Sequence, residues 1–221
     1  MFENISAAML ALLGQSLWET VLMVGVSGVL GSLLGVPLGI YLRLTDQGGV
    51  LQNAAAHHAV GWVVNALRSV PFIILLVAII PFTRLVVGSS IGTAAAIVPL
   101  TVAAAPFMAR LVETALREVD GGLIEAAQAM GATTGQIVWK VLLPEALPGI
   151  VAGVTITFVT LTGYSAMAGA IGGGGLGDLG IRYGYQRFLP DVMVVVVLVL
   201  IVFVQLIQSL GDWMVRRISH R

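Results

Sequence analysis

Few side chains in this 221-residue chain are of a kind that does chemistry, and their spacing excludes most of it. The chain has no cysteine, which rules out disulfides, thiolate metal sites and cysteine nucleophiles. His57 and His58 are adjacent. On a helix they point about 100° apart and cannot chelate one ion together. No third ligand lies near them in sequence, so a solvated loop is expected there and no metal site. Gly172–Gly177 literally contains GxGxxG. That dinucleotide fingerprint works only between a strand and a helix of a βαβ unit, and here it follows a long apolar helix. It also lacks the Lys-Ser/Thr of a P-loop, so no nucleotide or other cofactor is expected on this chain. No Ser–Lys, Asp–Asp or HExxH constellation offers a catalytic residue in the apolar stretches. Glu19, Arg68 and Glu113 lie in or beside those stretches, where charge is costly and usually functional. All three can instead sit at an interface, with their side chains reaching water.

The elements that must position these groups follow from composition. The chain is 58% hydrophobic and only 10% charged, with a mean hydropathy of +1.00. Soluble domains carry about 25% charged residues, so the reading is an all-α integral membrane protein in one domain, residues 1–221. Eleven basic and eleven acidic residues cancel, which leaves no basic surface for nucleic acid. A spanning helix needs about 20 mostly apolar residues. Five blocks qualify, at about 17–42, 60–82, 91–108, 147–171 and 192–210. Met1–Gln15 has Glu3 as its only charge and lacks a signal peptide's basic start and cleavage site, so the first span is expected to be retained.

Orientation follows from the basic residues in the short connections. Placing the C-terminus inside puts Arg43, Arg110, Arg117, Lys140, Arg216, Arg217 and Arg221 on the inner side, and leaves Arg84, Arg182 and Arg187 outside. The topology is N-out, C-in, in a multi-pass protein.

Gly31, Gly35 and Gly39, with Gly28 nearby, mark either a face where a second helix approaches closely or a helix kinked near Pro37. Pro71, Pro81, Pro99 and Pro106 interrupt the second and third spans. They kink those helices either along a water-filled path or simply as structure. Val192–Leu200 is almost pure valine and leucine and reads as a peripheral, lipid-facing helix.

The connection at about 110–146 is the longest outside the spans. Asp120 can cap a helix starting at Gly121, with Leu123, Ala126, Ala127 and Met130 on one apolar face and Glu125 and Gln128 beside it. Gly131 suits a left-handed position that ends the helix. Thr133 or Thr134 can cap a second short helix carrying Ile137, Val138, Val141 and Leu142, ended by Pro144. The alanine-rich first helix lacks the aromatic and basic flanks of a membrane-surface helix, and suits a groove on another protein.

Glu125-Ala126-Ala127, Gly131, Val141, Leu143 and Pro144 match the spacing of the EAA loop of bacterial ABC importer permeases, with valine at 141 where isoleucine is usual. Ser69–Gly88, Ala95–Glu113 and Gly163–Gly177 narrow the resemblance to the methionine-uptake branch of the type I importers. It covers about residues 16–185. It implies a cytoplasmic coupling helix built on Glu125, Ala126, Ala127, Met130, Gly131, Leu143 and Pro144, which docks on an ATP-hydrolysing subunit. It further implies a homodimer in the bacterial inner membrane, two copies of a separate ATPase that binds ATP and Mg, and an extracytoplasmic methionine-binding protein or lipoprotein. L-Methionine, with D-methionine, is the implied cargo.

Gly163, Tyr164, Ser165 and Met167 are the candidate gate: a glycine that loosens the helix, hydroxyls, and an adaptable apolar plug. Tyrosine and methionine at such depth are also ordinary packing residues. Gly172, Gly173, Gly174, Gly175 and Gly177 are expected in a flexible outer loop, either touching the binding protein or serving as a plain exit turn. Permeases for other small amino acids or compatible solutes share the loop. An ion-coupled transporter would need carboxylates or histidines in mid-span, and those positions hold none.

Overall fold

A computed structural model describes residues 7–219, and among them every regular element is helical. Glu3, which entered the reading of the N-terminal stretch, and Arg221, which entered the orientation argument, lie outside the described residues. Four helices are long and apolar enough to cross a membrane alone, and a fifth crossing is available if one sharply bent pair counts as a single span.

Helix α1 runs over Ala7–Thr45, about 58 Å at 1.5 Å per residue, well beyond the hydrocarbon thickness of a bilayer. It packs along α5, Thr93–Arg117. The buried stripe of α1 includes Gly28, Gly31, Gly35 and Gly39, so the glycines form a packing face, and the helix continues through Pro37. A Cβ on Gly35 would stand 2.6 Å from Met108 Cβ and 2.7 Å from the Ala105 carbonyl oxygen. At Gly39 it would meet the Ala109 carbonyl oxygen at 2.5 Å and Val112 Cβ at 2.6 Å. Backbone atoms cannot step aside as side-chain ends can. Gly39→Val is therefore expected to cost about 3 kcal/mol, near the upper end for overpacking. Gly25→Val, with nothing within 4 Å, should be close to neutral. Thermal melting of the detergent-solubilised protein compares the two, and equal melting of both variants would refute the close approach.

The second apolar block departs from the expected single helix over 60–82. Asn53 caps α2, Ala54–Ser69, by accepting the Ala56 N–H at 3.1 Å. The chain then bends by 102° into α3, Phe72–Ala78. The cause is Pro71, which forces the preceding residue out of the helical region. Val70 is extended, at φ −81° and ψ 125°. Helix α4, Ile80–Val87, follows with Pro81 in its first turn, where a missing N–H costs nothing. Pro99 and Pro106 lie inside the unbroken α5.

Helix α5 continues to Arg117, so Arg110, Glu113 and Arg117 are helical and not part of a loop. Helices α6, Gly121–Ala129, and α7, Thr134–Ile137, lead through a π-helical turn, Val138–Leu142, into α8, Leu143–Ala168. A second π turn, Gly169–Gly173, then α9, Gly175–Leu179, and a π stretch, Gly180–Gln186, lead to α10, Pro190–Ile218. Burial separates centre from rim: 56% of the apolar window of α5 is buried against 11% of that of α10. The fifth helix is peripheral, as its Val/Leu run implies.

Candidate functional site

The connection between α5 and α8 is built by local rules. Asp120 Oδ1 accepts the Gly122 N–H at 2.8 Å and opens α6. Gly131, at φ 80°, closes it. Its N–H donates to the Gln128 carbonyl at 2.9 Å, and the Ala132 N–H reaches back to the Ala127 carbonyl at 3.0 Å. Those two bonds make a Schellman motif, which needs a left-handed residue at its pivot. Thr133 and Gln136 form a capping box at the start of α7.

Pro144 does not end this second helix. The chain stays helical from Thr134 to Ala168, because the π turn at Val138–Leu142 re-registers the hydrogen bonds just where Pro144 has no N–H to offer. Lys140, Leu143 and Pro144 thus belong to the root of a spanning helix.

Helix α6 shows two faces. Glu125, Ala126 and Met130 are exposed, Met130 to 82%, with Leu123 beside them. Ala127 does not share that face. Together with Ile124 it packs into a cluster containing Val112 and Leu116 of α5 and Ile137, Val138 and Leu142. The buried side of α6 is thus joined through close-packed side chains to the ends of both α5 and α8. Trp139 is 74% exposed, and nothing in the spacing of its neighbours marks it.

Beside the cluster runs a charge relay whose half on α5, Arg110, Glu113 and Arg117, has the i,i+3 and i,i+4 spacing of helical ion pairs, and whose links to Asp46 and His57 no spacing discloses. Glu113, 1% exposed, accepts from Arg110 Nη1 at 2.6 Å and from Arg117 Nη2 at 2.7 Å. Arg117 also binds Asp46 Oδ2 at 2.8 Å, and His57 Nε2 lies 3.7 Å from Asp46 Oδ1. His57 Nδ1 stands 3.0 Å from the Leu42 carbonyl, and Arg110 Nη2 donates to the Gly61 carbonyl at 3.2 Å. The relay ties α1, α2 and α5 together at the end nearest α6. Burial pushes the Asp46 carboxyl up, but the Gln47 amide, the Arg117 guanidinium and His57 outweigh it and hold Asp46 below its ordinary range.

Asp46, His57 and Glu113 bring ligand atoms within 4.8 Å of one another. Arg117 bonds both carboxylates and Arg110 brings a second positive charge to Glu113, so the cluster is balanced as an ion-pair relay and not arranged as a cation site. His57 accordingly sits in the first turn of α2, not in a solvated loop. Arg68 is exposed at the end of α2.

The residues expected at a gate are only partly together. Gly163 and Met167 are exposed on α8, whereas Ser165 is buried and donates to the Thr162 carbonyl at 2.8 Å. Tyr164 is stacked on Phe72 of α3, with ring centroids 4.5 Å apart and planes 1° from parallel. The aromatic of α8 thus rests on the bend that the hydropathy pattern did not disclose.

Gly172–Gly177 forms no open loop. It folds into the second π turn and α9, with Gly173 and Gly175 buried. A Cβ on Gly169 would meet the Asp178 nitrogen at 2.5 Å, and one on Gly177 would collide with the Ala166 backbone. The glycines are there because backbone packs on backbone.

Comparison with known proteins agrees with this architecture. Residues 35–221 match the family model described as binding-protein-dependent transport system inner membrane component. A relative from Vibrio cholerae serotype O1, named probable D-methionine transport system permease protein MetI, is 60% identical over 204 residues, 92% of this chain and 91% of the relative. Its namesake in Haemophilus influenzae is 50% identical over 204 residues, 92% of this chain and 96% of that one. A solved structure described as an inward-facing conformation of the MetNI methionine ABC transporter superposes with a TM-score of 0.96 at 55% identity, covering 98% of this chain and 100% of that chain. An amino acid ABC transporter solved with histidines shares the fold at a TM-score of 0.76 and 18% identity, covering 95% of each chain.

Proposed function

This chain belongs to the family of binding-protein-dependent transport system inner membrane components, and from that premise we propose that it is the permease subunit of an ATP-driven methionine importer. The observation that carries the reading is the hinge-ended helix α6. Its exposed Glu125, Ala126 and Met130 suit the cleft of a separate ATPase, and its buried side is continuous with the cores of α5 and α8. The relatives named for methionine transport supply the substrate class. ATP and Mg belong to the ATPase partner, present in two copies beside two copies of this chain. An extracytoplasmic methionine-binding protein delivers cargo to the side opposite α6, in the N-out, C-in orientation favoured by the distribution of arginines.

In this mechanism the chain makes and breaks no covalent bond. Closure of the ATPase pair draws the two α6 helices together, and Ala127, Ile137 and Leu142 carry that motion into the spans. ATP shifts the permease outward only in so far as it binds the closed ATPase pair more tightly, since a ligand moves an equilibrium by its differential affinity alone. Tyr164 and Met167 act along the path, with Tyr164 held on Phe72 until α3 and α8 separate. Leu143 and Pro144 form the root through which α8 is turned.

The test is co-purification of the chain with its ATPase and binding protein, then reconstitution in liposomes. Uptake of labelled L-methionine should require ATP and all three components, and unlabelled D-methionine should compete. Accumulation without ATP would refute the proposal, and a different ligand carried by the binding protein would refute the choice of cargo.

A further inference from the structure

The glycine-rich start of α9 is pinned to α1 by two side chains that nothing above employs. Glu19 Oε2 accepts the Gly175 N–H at 2.7 Å, and Thr20 Oγ1 accepts the Leu176 N–H at 2.9 Å. Both bonds join residues 156 positions apart. The clasp is itself held from α1: Gln15 Nε2 donates to Glu19 Oε1 at 3.1 Å, and Thr20 Oγ1 donates to the Ser16 carbonyl at 3.0 Å.

At the carboxylate the clasped segment presents two glycines, while Leu176 beside them is buried in a cluster that Leu13 and Leu17 of α1 pack against. Gly174 and Gly175 sit at φ 80° and 78°. A Cβ on Gly174 would stand 2.7 Å from Glu19 Oε2, and one on Gly175 2.6 Å from Met23 Cε. Only bare backbone can approach the carboxylate this way. The same residues wall a cavity of about 250 Å³, bounded by Gln15 and Glu19 of α1, Thr93 of α5, and Gly174 and Asp178. Lifting the segment from α1 reshapes that cavity and breaks both bonds, one of them strengthened by the carboxylate charge.

We infer that Glu19, acting with Thr20, is a positioning residue of the transport cycle: it holds Gly172–Gly177 on α1 in the form that meets the binding protein. The inference rests on the transporter reading above and on that segment as the docking surface. Thr20 is buried, at 1% exposure, and holds the adjacent amide, so that it adds a second, uncharged bond to the one made by the carboxylate.

The experiment uses the chain assembled with its ATPase in nanodiscs, and compares Glu19→Ala, Thr20→Val and Glu19→Gln. Hydrogen exchange is read on peptides covering 172–180, and ATP-driven methionine uptake is titrated with binding protein. Glu19→Ala should speed exchange in that segment about tenfold, as expected for one lost charge-assisted bond. It should raise the half-saturating concentration of binding protein by about the same factor, while the maximal rate moves little. Thr20→Val should do the same to a lesser degree. Glu19→Gln keeps an oxygen acceptor but not the charge, and should fall between wild type and Glu19→Ala. Unchanged exchange in Glu19→Ala overturns the inference. So does faster exchange with an unchanged half-saturation, or a loss in Glu19→Gln equal to that in Glu19→Ala. Failure of the wild-type assembly to accumulate methionine would instead overturn the transporter reading, and the exchange result would stand apart from it.

Discussion

Gly131→Pro is expected to leave the chain inserted in the membrane and to abolish ATP-driven uptake. Gly131 holds φ at 80°, whereas proline is fixed near −65°. The substitution also removes the N–H that donates to the Gln128 carbonyl, and with the pivot gone the Ala132 to Ala127 bond cannot form. The local penalty is about 3 kcal/mol or more. It falls wholly on the angle between α6 and α7, because Gly131 is exposed and a Cβ there meets nothing within 4 Å. The spans therefore keep their packing while the exposed face of α6 loses its place. Gly131→Ala should show a milder defect, since alanine tolerates the left-handed region at a cost of about 1–2 kcal/mol. Immunoblots of washed membranes report insertion, and labelled-methionine uptake by the same cells reports coupling. Wild-type uptake by the proline variant would remove the case for α6 as the receiver of force.

The second large effect is on stability. Glu113→Gln is expected to destabilise the fold by about 3–5 kcal/mol, the range seen when one partner of a buried ion pair is removed. The reason is what stays behind. Arg110 and Arg117 both point at this carboxylate; without it Arg117, half exposed, keeps Asp46, but Arg110 is left with the Gly61 carbonyl alone. Arg110 already has its Nε buried without a partner, so little compensation is at hand. Exposed pairs such as Arg182 with Asp178 should matter far less, by about 0–1 kcal/mol. The double variant Arg110→Met with Glu113→Leu should recover much of the loss, because an apolar pair of similar volume often replaces buried charge without penalty. Thermal unfolding in detergent orders the variants. Wild-type melting of Glu113→Gln would mean that the relay contributes nothing to the fold.

Local codes were the legible part of the fold. Asp120, Gly131 and Thr133 act on partners within a few residues, so their roles as caps and pivot can be read from type and spacing. The same holds for the glycines of α1, whose four-residue period places them on one stripe. The candidate gate was legible only as composition. That Tyr164 lies on Phe72 depends on a bend that hydropathy cannot register, since residues 60–82 remain apolar whichever way the chain turns.

Residue type and spacing were enough for the class of protein, the approximate positions of four of the five apolar blocks, and the caps and glycine pivot of the loop between α5 and α8. Each of these depends on transfer of apolar residues from water or on bonds closed within one helical turn. Tertiary structure alone decided that Ala127 faces inward while Ala126 faces out, that Pro144 stands inside a continuous helix, and that His57 and Glu113 share one relay. It also decided that Glu19 clasps a backbone N–H 156 positions away. Those outcomes are set by which surfaces meet across the bundle, and neither the spacing nor the type of a single residue carries that information.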